Sequence, residues 1–271
     1  MRGLWMLLLT GCVGQGLEPG PATSEASRPI VGGTQTPGAY PATGAVTAGM
    51  RLRCTGTLIA PDVVLTAAHC LKPATFGYLG FTLDTDVATG AQDVVKALVT
   101  HQHPDFIEGD VLELGARNDV GVMILERPIA IAEQYLEPYE LALEPSPEAT
   151  LSICGYGRDV WAQVAGGVKR TADVLVAGVD TLEFATAETG PQPCSGDSGA
   201  PLFDDLPEGH ALVGIVSRAF GDTIMCNSGA IVTRTAPYAA WIEEAAGDRR
   251  TGCGGCLLLP FALTPRRRRR R

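Results

Sequence analysis

Hydrophobic positions in the middle of this chain come in short runs, each closed off by glycine, proline or aspartate. A first set covers Thr43–Ala48 and residues 54–60, 63–67, 93–100 and 120–125. A second set covers residues 151–156, 169–177, 181–186, 211–217 and 230–233. Runs of this length are too short for helices, and turn signals recur between them at the spacing of an all-β barrel or sandwich. The Pro- and Glu-rich stretch 135–149 separates the two sets, so the pattern predicts two β units of about 110 residues each. One segment has a different period. Tyr238, Trp241, Ile242 and Ala245 fall at helical spacing, which predicts a closing helix over residues 235–246.

The ends of the chain lack this pattern. Residues 1–12 place one arginine before a short apolar run that stops at Leu9-Thr10-Gly11-Cys12. That is a secretory signal, too short to span a bilayer as a helix. Its ending resembles the bacterial lipoprotein signal, in which Cys12 would carry the lipid and anchor the chain to a membrane. The other reading is a plain signal peptide cut a little further on. Residues 13–29, rich in Gly, Pro, Ser, Thr and Glu, form a linker or short propeptide. The folded region is expected over 30–246. Residues 247–271 form a tail with Cys253-Gly254-Gly255-Cys256, an apolar patch broken by Pro260, and six arginines. The order resembles bacterial C-terminal surface-sorting tails, with a much shorter apolar part; a basic tail held near anionic lipid is the other reading.

Composition narrows the classes. Apolar residues make up 45% of the chain and aromatic ones 6%, with 33 glycines and 19 prolines, as suits a turn-rich globular β protein. The formal charge is −9, but without the arginines at 266–271 the balance is 15 basic against 30 acidic residues. An acidic body with three lysines excludes a nucleic-acid groove. Eight cysteines beside an export signal point to an oxidising compartment and at least two disulfides.

Candidate chemistry centres on Cys194-Ser195-Gly196-Asp197-Ser198-Gly199-Ala200-Pro201-Leu202. A serine hydroxyl is a weak nucleophile unless a base takes its proton and donors hold the oxyanion. A tight Gly-Asp-Ser-Gly turn can aim the N–H groups of Gly196 and Ser198 into one pocket, although such residues also make ordinary turns. A base is available in Leu65-Thr66-Ala67-Ala68-His69-Cys70, and an orienting acid in Asn118-Asp119-Val120-Gly121. Their order is His69, Asp119, Ser198, with separations of 50 and 79 residues. His101 and His103 form a His-x-His pair without an evident third ligand, so no metal site is expected. Ala200 breaks a Gly-x-Ser-x-Gly pattern, so an α/β-hydrolase elbow is not supported.

Five stretches together resemble the trypsin-like (chymotrypsin-fold) serine endopeptidases: Ile30-Val31-Gly32-Gly33, the His69 and Asp119 segments, the Ser198 turn, and Gly214-Ile215-Val216-Ser217. The resemblance covers roughly residues 30–246. It implies two packed six-stranded antiparallel β-barrels with a C-terminal α-helix, and an active site in the cleft between them. The roles follow the family pattern: Ser198 as nucleophile, His69 as base, Asp119 as its orienting acid, and Gly196 and Ser198 as oxyanion donors. It also implies the disulfides Cys54–Cys70 and Cys194–Cys226, leaving Cys154 as a buried thiol. Maturation would free the Ile30 α-amine to pair with Asp197. Arg28-Pro29 precedes Ile30, so either an unusual protease cuts there, or Pro29 is removed later, or activation differs. Gln192 takes the pocket-base position, with Ala219 and Ala230 on the walls. An uncharged side chain is then expected as substrate. Arg218 stands where the family has a tryptophan; it either favours acidic substrate residues or points outward.

The function expected is an exported bacterial serine endopeptidase, a monomer acting on protein or peptide substrates without cofactor or metal. It is lipid-anchored in the cell envelope or secreted. The alternative is a non-catalytic module of the same fold that binds a protein partner. A serine esterase is a third reading.

Overall fold

A computed structural model describes residues 30–74, 77–108, 117–132, 144–158, 166–206, 209–220 and 226–249. The signal segment, the linker and residues 250–271 of the tail, with Cys12, Cys253 and Cys256, lie outside them. So does most of the 135–149 separator.

Among the described residues, thirteen strands and one α-helix make up the fold. After a short β1 (Thr34–Gln35), the first unit contains β2 (Thr43–Ala48), β3 (Arg51–Ala60), β4 (Val63–Thr66), β5 (Leu79–Thr82), β6 (Val95–Gln102) and β7 (Gly121–Leu125). The second contains β8 (Thr150–Gly155), β9 (Arg170–Val179), β10 (Glu183–Thr186), β11 (Pro201–Leu206), β12 (Gly209–Ala219) and β13 (Ala230–Arg234). Strands β2-β3-β4-β7-β6-β5 close into one barrel. Strands β8-β9-β10-β13-β12-β11 close into a second through β8–β9 pairing, and β1 adds to β9. Every strand pairing is antiparallel. The two six-stranded barrels and the single C-terminal helix are the expected architecture.

Ten of the strands fall on the predicted runs. Three do not. β1 and β5 are short, and β11 carries Pro201 and the pair Asp204-Asp205 in place of an apolar alternation. Proline is tolerated there because it opens the strand. The closing helix also begins later than its period suggests. Ala236–Tyr238 form a 3-10 turn, Tyr238 departs from helical backbone angles (φ −102°, ψ 3°), and α1 runs over Ala239–Gly247.

Each barrel has its own core. Val46, Leu58, Val64, Phe81, Val95 and Met123 fill the first. Leu151, Ile153, Val176, Phe184, Leu202, Val213 and Val232 fill the second, and Ile30 from the amino-terminal segment packs among them. A third cluster joins the two barrels. Val63, Leu65, Val122 and Ile124 of β4 and β7 meet Phe203, Leu212 and Ile215 of β11 and β12, together with Tyr238 and Ile242 beside and within α1. Strands β4 and β7 are thus buried on both faces, which explains why their sequences read as continuous apolar runs. Full burial of each such side chain contributes about 1.5–3 kcal/mol, so these strands are fixed firmly in place. The candidate residues His69 and Asp119 lie beside their ends.

Candidate active site

His69 sits in the 3-10 turn Ala68–Leu71 that follows β4. A disulfide from Cys70 to Cys54 of β3 ties down this turn, and Gln102 Nε2 donates to the Ala68 carbonyl at 2.7 Å. Asp119 lies just before β7, and β4 pairs with β7 so that Thr66 faces Gly121. Strand pairing therefore brings together two residues far apart in sequence. Asp119 Oδ2 lies 2.8 Å from His69 Nδ1, and Oδ1 accepts from the His69 backbone N–H at 3.0 Å. Ser217 Oγ donates to Asp119 Oδ2 at 2.7 Å. Burial pushes the Asp119 carboxyl up, but the bonds and charge of His69 and the bond from Ser217 outweigh it and hold its pKa below the ordinary value. An ionised carboxylate only accepts, so His69 Nδ1 carries the proton and Nε2 is the basic nitrogen.

The serine turn is built from two consecutive tight turns. Asp197 N–H donates to the Cys194 carbonyl at 2.9 Å, and Ala200 N–H donates to the Asp197 carbonyl at 2.8 Å. Each has a glycine at its third position with positive φ, 105° at Gly196 and 76° at Gly199, where other residues are strained. Space also demands glycine at 199, because an added Cβ would lie 2.1 Å from Thr66 Oγ1. Thr55 N–H donates to the Ser198 carbonyl at 2.9 Å, and Thr55 Oγ1 donates to the Gly196 carbonyl. One residue of the first barrel thus clamps this turn of the second. The disulfide Cys194–Cys226 fixes its start.

Asp197 is wholly buried. Its oxygens accept from the N–H groups of Gly157 (2.7 Å) and Cys194 (2.9 Å). Desolvation dominates and pushes its pKa from 3.8 to about 6, against the lowering effect of these bonds and of the Arg170 charge. Nearby, Val31 and Gln192 exchange both backbone hydrogen bonds at 2.9 Å. Ile30 is fully buried with φ 38°, an unfavourable conformation for a β-branched residue.

His69 and Ser198 line one cavity of roughly 230 Å3, together with Ser217, Arg218, Ala219, Cys226 and Ala230. Gln192, expected at the pocket base, is almost fully buried and is not among the lining residues, although its neighbour Pro193 is. Its Nε2 donates to the Ala187 carbonyl at 2.9 Å, while its buried Oε1 has no hydrogen-bond partner. Arg218 does not point outward. Its guanidinium makes two hydrogen bonds, at 2.8 and 2.9 Å, to the buried carboxylate of Glu183. A bulge causes this geometry. Val216 pairs with Val232 and Arg218 with Ile231, leaving Ser217 as an extra residue in β12. The bulge sends Ser217 toward Asp119 and Arg218 toward Glu183.

Residues 30–242 match the family model described as Trypsin. The chain belongs to the trypsin family. Among curated relatives, human kallikrein-11 is 28% identical over 209 residues, covering 72% of each chain. Lectizyme of Glossina austeni is 26% identical, covering 81% of this chain and 87% of that one. Bovine chymotrypsin-C is 27% identical, covering 72% and 78%. The solved structure of mouse neuropsin, a serine protease, superposes with a TM-score of 0.64 at 23% identity, covering 79% of this chain and 98% of that one. That likeness establishes the fold. The relatives belong to a family of serine endopeptidases that act on proteins or peptides.

Within this trypsin-family frame, the structure brings His69, Asp119, Ser198, Ser217, Arg218, Ala219 and Ala230 around one cleft. It buries Gln192 away from the cavity lining and sets Ile30 in the core. His101 Nε2 instead donates to the Asp248 carbonyl at 2.9 Å, and His103 packs against Trp241. Cys154 is buried outside both disulfides. Two residues that line or support the site escape the sequence reading. Arg117, two residues before Asp119, lies on the cavity wall. Glu183 stands within the apolar run Leu182-Glu183-Phe184, an inward acid that signals a buried partner only once Arg218 is known to face it.

Proposed function

We propose that this protein is a serine endopeptidase that hydrolyses peptide bonds through an acyl-enzyme on Ser198. The observation that carries the reading is the 2.8 Å contact between His69 Nδ1 and Asp119 Oδ2 in a cavity that Ser198 also lines. His69 Nε2 takes the Ser198 proton as Oγ attacks the scissile carbonyl, and later returns it to the leaving amine. Asp119 stabilises the imidazolium formed between these steps. The N–H groups of Gly196 and Ser198 hold the oxyanion; losing one such donor raises the barrier by about 3 kcal/mol.

Maturation cuts the Pro29–Ile30 bond, and the new α-amine pairs with Asp197. The φ of 38° at Ile30 supports this, because that torsion exists only while Ile30 is joined to Pro29. Such strain is worth about 1–3 kcal/mol, and cutting releases it. Ala219 and Ala230 on the cavity wall, the uncharged Gln192 nearby in sequence and the pairing of Arg218 with Glu183 favour an uncharged side chain in the primary pocket. The sequence of residues 1–12 supports export, with Cys12 as the lipid anchor in a bacterial envelope.

Labelling with an active-site phosphonate tests the reading. Mature protein is expected to take up label, and Ser198→Ala to take up none. Correctly matured protein that stays unlabelled points to the non-catalytic partner-binding module instead. N-terminal sequencing of the active form is expected to begin at Ile30.

A further inference from the structure

The charges around the cleft are arranged in one direction. Arg117 and Arg218 line the cavity beside His69 and Ser198, and none of the described lining residues is acidic. Their counter-charges sit behind them. Glu183 and Asp119 are fully buried, whereas the side chains of Arg218 and Arg117 keep 9% and 12% exposure. Each acid–base pair is therefore a dipole with its positive end toward the cavity.

The two arginines differ in how fully they are used. Arg218 gives two hydrogen bonds to Glu183. Arg117 Nε approaches Asp119 Oδ2 only to 3.8 Å, beyond hydrogen-bond reach. That oxygen already accepts from His69 and Ser217. Arg117 Nε is buried and has no hydrogen-bond partner. The loop around Arg117 nonetheless holds it in place. Ile107 N–H donates to the Arg117 carbonyl at 2.9 Å, and the guanidinium lies 5.5 Å from the centre of the Phe106 ring. Glu108 of the same loop is taken by Lys72 at 2.5 Å. Arg158 Nη2 donates at 3.1 Å to Oγ of Ser195, itself a lining residue, adding a third guanidinium nearby.

We propose that Arg117 is a specificity-determining residue that selects substrates with a glutamate or aspartate next to the residue entering the primary pocket. The proposal rests on the endopeptidase reading and deepens it. The Arg117 side chain lines the cavity and keeps 12% exposure, so a substrate carboxylate there meets a guanidinium that can receive it as a planar acceptor. A lysine or arginine at that place meets the like charge of Arg117, and none of the described lining residues offers it a carboxylate. The acidic body repels acidic peptides at long range, so selection comes from the short-range contact within the cleft.

The experiment uses mature protein and internally quenched peptides in which Glu, Gln, Leu or Lys is scanned through the positions flanking the scissile bond. One position is expected to favour Glu over Gln by about tenfold or more in kcat/KM, mainly through KM, and the preference is expected to shrink with added salt. Arg117→Gln is expected to abolish the Glu-over-Gln preference. If Arg117→Gln instead lowers kcat equally for all peptides, Arg117 supports Asp119 and the proposal is overturned. Ser198-dependent cleavage without any Glu preference overturns it while leaving the endopeptidase reading intact. Absence of Ser198-dependent cleavage removes both. Binding of the Glu and Gln peptides to Ser198→Ala gives a second readout, with tighter Glu binding expected and equal binding contradicting the proposal.

Discussion

Asp197 shows how much one buried carboxyl depends on its surroundings. Its pKa in the fold, about 6 against an ordinary 3.8, is raised because burial disfavours the charge. Stability from this group is fully present below about 3.8 and is lost as pH rises through about 6. The displacement corresponds to about 3 kcal/mol. Urea unfolding of the uncut protein is expected to show this loss between pH 4 and 7, and Asp197→Asn is expected to remove it. Parallel pH profiles for the two proteins would refute the assignment. Pairing with the Ile30 α-amine, as proposed for the mature form, supplies a cation and reverses the preference. The same buried acid then favours the cut chain at neutral pH.

At the scale of elements, the bulge in β12 matters more than any single side chain. It lets two consecutive residues line the same cavity, with Ser217 on Asp119 and Arg218 on Glu183. A regular strand would send alternate residues to opposite faces without this offset. Glu183 lies on β10 and is fully buried, so removing its charge strands a guanidinium within the fold. Glu183→Gln is expected to destabilise by about 3–5 kcal/mol in chemical denaturation. The double variant Glu183→Leu with Arg218→Met is expected to return near the parent, because two matched apolar groups need no counter-charge. A single-variant loss below about 1 kcal/mol would mean that the pair is solvated and contributes little.

For the whole molecule, the site exists only where two barrels meet, so whatever holds them together also holds the chemistry. Apolar packing supplies most of this, through β4, β7, β11, β12 and α1. A polar tie adds to it. Lys169, just before β9, is buried and donates from Nζ to the carbonyls of Tyr40 and Thr43 at 2.8 and 2.9 Å. Lys169→Met leaves these acceptors without that donor, and a loss of about 2 kcal/mol is expected in the same denaturation measurement. An unchanged midpoint would show that water replaces the ammonium without penalty.

Much of this protein is written in short local stretches. The closely spaced turns and the short apolar runs determine two β units, because strand length and turn chemistry are local properties. The Gly-Asp-Ser-Gly turn is legible for the same reason: positive φ at Gly196 and Gly199 needs glycine whatever lies around it. Other features depend on contacts between distant segments. The sequence left two fates for Arg218, cleft charge or outward side chain, and a buried acid 35 residues earlier decides for an inward pair. Arg117 carries no local signal, and its place on the cavity wall depends on the pairing of β4 with β7 and on the Phe106 loop. Gln192 was expected at the pocket base, yet its amide is turned to the Ala187 carbonyl. Local stretches therefore determined the strands, the turns and the reactive residue types. Tertiary structure decided which charges face the cleft, because burial and pairing are settled only when the two barrels close.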